Sequence, residues 1–162
     1  MFKTKLLILL LTSTIIFGCT KDTKIQPSTK FSVSYIGGEY DGLLLNNLLT
    51  SHLERLNIYD QKSIYEIRSN LKHESNLFIT NIDNTSDRES IDTIVRFNIV
   101  DLKKDCLIFS TTDSVSQFYI FASSEKLLSN QKAIKNIKKN NTESLIKTFI
   151  NKLYRIELNC DK

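Results

Sequence analysis

The 162-residue chain has no tryptophan, one proline, four glycines, three cysteines and two histidines. So little proline and glycine excludes collagen-like and proline-rich classes, and three cysteines exclude a disulfide-dense scaffold. Histidines and cysteines this few, with no CxxC and no HExxH, leave no metal-ligand cluster, and no cofactor is expected. What is present is ordinary for a folded domain: 41% hydrophobic and 25% charged residues. That balance argues against disorder, and the length fits one domain with a real core.

The N-terminus reads as an address. Lys3 and Lys5 precede a mostly apolar run from Leu6 to Phe17, which closes on Gly18-Cys19. The run is shorter than the ~20 residues of a membrane span and has the anatomy of a secretory signal. Ile16-Phe17-Gly18-Cys19 resembles a bacterial lipobox, so residues 1–18 are expected to be a lipoprotein signal peptide and Cys19 the diacylglyceryl-modified first residue. Removal of 1–18 leaves 144 residues with 20 basic and 18 acidic side chains. Thr20 rather than Asp follows Cys19, which favours an outer-membrane destination on the periplasmic side. Residues 19–30, polar and holding the lone Pro27, read as a tether to a single domain over 31–162.

Within that domain, Phe31, Val33 and Tyr35 alternate as a strand that ends at Gly37-Gly38. Asp41 is placed as the cap of a helix over Leu43–Ile58 with Leu45, Leu48, Leu49, His52, Leu53 and Leu56 at helical spacing. Ile64–Leu71 and Leu77–Ile82 read as two short strands, and Asp83–Glu89 as a loop. Ile91–Leu102 alternates, with Val95, Phe97 and Ile99 on one side and Ile94, Arg96, Asn98 and Val100 on the other. Lys103-Lys104-Asp105 makes a turn into Cys106–Ser110, with Val115–Phe121 continuing or following it. Connections this short imply antiparallel pairing. The last third is helical, with Leu145, Ile146, Phe149, Ile150, Leu153 and Ile156 as its stripe; Asn140-Asn141-Thr142 is either a break or the polar surface of one long helix. The expected fold is α+β: a two-layer sandwich with a mostly antiparallel sheet of about four strands and two helices on it.

Catalytic patterns are not found. Gly37 and Gly42 match half of a phosphate loop, but Leu43-Leu44 follow where Lys and Ser/Thr are required. His52 is expected half-buried and structural, and His73, beside Glu74, solvated. No nucleophile–base set can be named, so the chain is not expected to be an enzyme. Cys106 and Cys160 are expected to be dispensable, since Cys160 stands near a terminus; whether they pair is open. One charge feature stands out: Lys126–Arg155 carries +7, whereas Thr20–Glu125 carries −4. A basic window on a periplasmic protein points to lipid phosphate and not to nucleic acid, and Lys132, Lys135, Lys138 and Lys139 are its candidate contacts.

Gly42-Leu43-Leu44-Leu45-Asn46-Asn47-Leu48-Leu49 with Leu53, the run Ile94-Val95-Arg96-Phe97-Asn98-Ile99-Val100-Asp101, and Ser114–Phe121 ahead of a helix ending near Ile156 resemble the lipopolysaccharide (LPS)-assembly lipoprotein family, LptE. Thr20-Lys21-Asp22 stand where members often have Gly and an aromatic. The resemblance implies a non-catalytic outer-membrane lipoprotein that helps a large β-barrel, LptD, to assemble and to deliver LPS to the outer leaflet. Its partners would be that barrel, LPS, and the membrane through the N-terminal lipid. Other readings of the same layout are an auxiliary lipoprotein of a lipid-transport ABC system and a periplasmic hydrolase without a recognisable signature.

Overall fold

The computed structural model describes residues 29–34, 36, 39–79, 86–120 and 127–160. The signal peptide, Cys19 and most of the expected tether lie outside these residues. The element order is β1 (Ser32–Val33), α1 (Glu39–Arg55), β2 (Tyr65–Ile79), β3 (Ser86–Asp101), β4 (Cys106–Ile120) and α2 (Leu127–Leu153). The sheet order is β1-β2-β3-β4, with β1 parallel to β2 and the remaining pairs antiparallel. Both helices pack on this sheet, giving the expected two-layer α+β fold.

The period-two pattern of β3 sets the layers. Val95, Phe97 and Ile99 are fully buried under the helices. Their neighbours across the ladders, Leu71, Ser69 and Ile67 on β2 and Asp113, Thr111 and Phe109 on β4, share that inner face. From α1, Leu45, Leu49 and Leu53 fill the core at i, i+4 and i+8; from α2, Leu145, Ile146, Phe149 and Leu153 do so. Phe149 stacks on Phe97 with ring centroids 4.1 Å apart. Arg68, Arg96 and Thr112 face solvent on the other side of the sheet.

Three local expectations change, and one open alternative is settled. Asp41 does not cap α1, because the helix already starts at Glu39; it lies within the first turn, where a carboxylate still complements the helix dipole. The helix stops at Arg55, three residues before the expected end, because Asn57 takes a positive φ of 57°. The Asn57 N–H donates to Glu54 O (2.8 Å) and the Ile58 N–H to Leu53 O (2.9 Å), a Schellman closure. The two expected short strands are one: β2 runs unbroken from Tyr65 to Ile79, since β3 pairs with Lys72, His73, Glu74 and Ser75 as it does with their neighbours. The C-terminal region is one 27-residue helix, continuous through Asn140-Asn141-Thr142.

Cys106 and Cys160 form a disulfide with Cα atoms 6.1 Å apart. It fixes the segment after α2, where Tyr154, Ile156 and Leu158 pack against the core, to the start of β4. The question of pairing, open in the sequence, is thereby answered: the two cysteines are joined.

Candidate functional site

The basic window folds onto α2, and the structure divides its four candidate lysines. Lys132, Lys135 and Lys139, at i, i+3 and i+7, share one exposed side of the helix. Lys135 Nζ sits 4.8 Å from the centroid of the Tyr40 ring on α1, a cation–π distance. Lys139 Nζ lies 3.9 Å from Glu143 Oε1 one turn on. Lys138 turns toward α1, where its ammonium donates to Asp41 Oδ2 at 3.2 Å. An open cavity of about 300 Å³ lies between the helices, with Tyr40, Leu44 and Ile134 as its apolar wall and Lys135 and Lys138 at its polar side. The stripe therefore offers exposed cations beside an apolar recess.

Beneath Lys138 runs a polar network that joins the two layers. His73 is only 7% exposed in its side chain, and its Nε2 lies 3.8 Å from Asp41 Oδ2. Its Nδ1 pairs with Thr93 Oγ1 at 2.9 Å. The Asn141 amide donates to Thr93 Oγ1 and to Ile91 O, each at 3.1 Å. Burial lowers the His73 pKa, the nearby Asp41 carboxylate raises it and Lys138 lowers it again, with the net change downward. The expectation of a solvated His73 is thus overturned. The residue sits in mid-strand on the inner face, opposite Thr93. A similar polar group closes the far end of that face, where Ser75 and Tyr119 both donate to Glu89. This carboxylate raises the Tyr119 pKa, after burial as the larger cause.

None of these groups is arranged as a reacting pair. Thr93 is fully buried and already shares its hydroxyl with His73 and Asn141. His52 is half-buried as expected and pairs with Arg55, Nδ1 to Nη2 at 2.6 Å. Burial, then Arg55 and Lys147, lower its pKa against a raising effect of Glu143. Asp101 lies near Cys106 and Cys160, but both sulfurs are consumed in the disulfide and supply no thiolate to a metal. Asp101 Oδ1 instead accepts from the Lys103 and Lys104 amides at 2.9 and 3.0 Å, which organises the β3–β4 turn.

At the opposite end of the sheet from that turn, Phe78 and Phe118 stand on the outer face with ring centroids 5.6 Å apart, and Ile120 is 79% exposed. The separation along β4 is about 50 Å at ~3.3 Å per residue. Among the described residues no helix is long and apolar enough to cross a membrane. The network residues were hard to find in sequence. His73 and Asn141 sit in polar stretches; the alternation in β3, extended across the register, places His73 inside, and the Leu145–Phe149 stripe, extended one turn back along α2, places Asn141 there.

No protein-family model matches the chain, and no curated protein matches it in sequence. Solved structures do share its fold. A lipoprotein B from Nitrosomonas europaea superposes with a TM-score of 0.60 at 10% identity, over 85% of this chain and 90% of the other. A minor lipoprotein from Acinetobacter baumannii gives 0.59 at 13% identity, over 78% and 93%. Rare lipoprotein B from Shewanella oneidensis gives 0.55 at 11% identity, over 78% and 96%. At these identities the likeness is one of fold.

Proposed function

We propose that the protein is an outer-membrane lipoprotein, anchored through Cys19, that serves as a non-catalytic binding subunit of a large β-barrel LPS translocon. The observation that carries this reading is the conjunction of a lipobox-terminated signal with a domain whose fold recurs in bacterial lipoproteins. The buried network of His73, Thr93 and Asn141 supports it, because these groups join the two layers. In this reading the outer face of the sheet, with Phe78, Phe118 and Ile120, meets the barrel. The stripe of Lys132, Lys135 and Lys139 approaches lipid phosphates as mobile point charges, and Lys138 remains tied to Asp41. Exposed charges contribute little singly, and their sum weakens with salt because the Debye length is ~8 Å at physiological ionic strength.

The test is binding to vesicles that contain LPS. Lys132→Glu, Lys135→Glu and Lys139→Glu combined should reduce binding at least tenfold with the circular dichroism spectrum unchanged, and binding to the wild type should fall as salt rises. Binding that ignores both salt and the triple substitution would mean that the lysines are only a solvated helix face.

A further inference from the structure

The two edges of the sheet differ in how they are guarded. The β2 edge carries Glu66, Arg68, Lys72 and Glu74 and is partly covered by β1. The β4 edge is 15 residues long and contains no Lys, Arg, Pro or Gly. Among the described residues its backbone hydrogen bonds go to β3 alone. Its single charge, Asp113, is held by Lys152 Nζ at 2.6 Å. Beyond a bulge at Ile108 the edge runs in unbroken register from Phe109 to Ile120, and a long strand edge without lysine or proline gatekeepers is a template for another strand.

Alongside this edge runs the C-terminal half of α2. A cavity of about 350 Å³ opens between them, with Phe109 and Ile156 as apolar wall and Thr111, Lys152 and Arg155 as polar wall. Arg155 also lines a neighbouring recess of about 180 Å³ with Thr148 and Asn151. Arg155 is exposed and makes no ion pair among the described residues. A strand edge flanked by a helix is the arrangement by which extended peptides are bound through strand addition. Main-chain bonds then supply affinity, and the flanking cavity reads alternate side chains.

We propose that β4 and the C-terminal half of α2 form a strand-addition groove for an acidic, extended segment of a partner protein. The added strand pairs along residues 109–117. Its acidic side chains, two residues apart and so on one face, point toward Arg155, the cation of the groove left over once Lys152 is bound to Asp113 and Thr111. Charge selects this occupant over the others within reach. A second copy paired antiparallel about the middle of β4 would set Asp113 against Asp113 and bring two basic flanks together. The chain's own residues 20–28 carry Lys21 and Lys24 against Asp22, a net basic segment. The groove is separate from the lysine stripe, so its failure leaves the lipid reading untouched.

The experiment uses the full chain in detergent micelles and a capped nine-residue peptide of alternating valine and glutamate. Amide hydrogen exchange should slow at alternate positions between 109 and 117 when the peptide is added. A peptide with lysine in place of glutamate should not produce this protection, and Arg155→Glu should weaken the acidic peptide at least tenfold. Unchanged exchange in β4, or equal protection by both peptides, would overturn the proposal. Protection of both sets of alternate amides before any peptide is added would also overturn it, since the edge would then be filled by the chain itself or by a second copy.

Discussion

The Asn141 side-chain amide donates to the Thr93 hydroxyl at 3.1 Å, across the interface between α2 and the sheet. Both residues are fully buried. The same amide reaches Ile91 O, while Thr142 Oγ1 donates back to Lys138 O at 2.8 Å inside its own helix. A polar triplet that looks like a helix break is therefore the point at which one long helix is registered on β3.

Removing that contact should cost stability in a recognisable way. Asn141→Ala is expected to lower the unfolding free energy by about 1–3 kcal/mol, the range for buried donors and acceptors that lose their partners. Thr93→Val should do the same. Urea unfolding of both single variants and the double variant should show less than additive loss, since the two act through one bond. Strict additivity would mean that they stabilise the fold independently.

The histidines set a pH dependence of defined sign. His73 and His52 both have folded-state pKa values below the ordinary 6.5, with burial the first cause in each. Below pH 6.5 the unfolded chain takes up protons that the folded chain resists, so stability should fall as pH drops below 6.5 and level off above it. His73→Gln should flatten this dependence in urea titrations between pH 5 and 7.5. A wild type whose stability rises on acidification would contradict the buried, neutral His73.

The disulfide closes 54 residues of chain, from Cys106 on β4 to Cys160 beyond α2. Chain entropy alone gives about 4 kcal/mol for a loop of this size, as an upper figure. The double variant Cys106→Ser, Cys160→Ser should lower the denaturation midpoint and release the segment after Leu153 to protease. The buried core is supplied by the helices and the sheet, with Tyr154, Ile156 and Leu158 only packed against it, so the rest of the domain should remain folded. An unchanged midpoint and unchanged proteolysis would show that the bond is not formed in the working protein.

Much of this was legible in sequence for a physical reason. Strong alternation in β3 and the apolar stripes of the two helices report burial directly, and these elements define the fold. The unread parts are those in which tertiary partners override local character. Lys72-His73-Glu74-Ser75 has the composition of a turn, yet β3 pairs with every one of them. Asp41 looks like a cap and instead receives Lys138 from a helix 97 residues away. Cys106 and Cys160 carry no local sign of each other, because only the path of the chain after α2 brings them together. The lysine window was visible as charge, but its division into an exposed stripe and an internal ion pair needed the helix to be placed.

The central claim is that a lipid-anchored, non-catalytic subunit accompanies a large β-barrel, and co-purification tests it most directly. The full chain with a C-terminal tag is captured from detergent-solubilised outer membranes, beside Cys19→Ser. The account predicts that the wild type retains a large outer-membrane β-barrel and bound LPS. Cys19→Ser should lose the acyl anchor and most of the barrel. Recovery of an inner-membrane ABC complex in place of the barrel, or capture without any barrel, would contradict it.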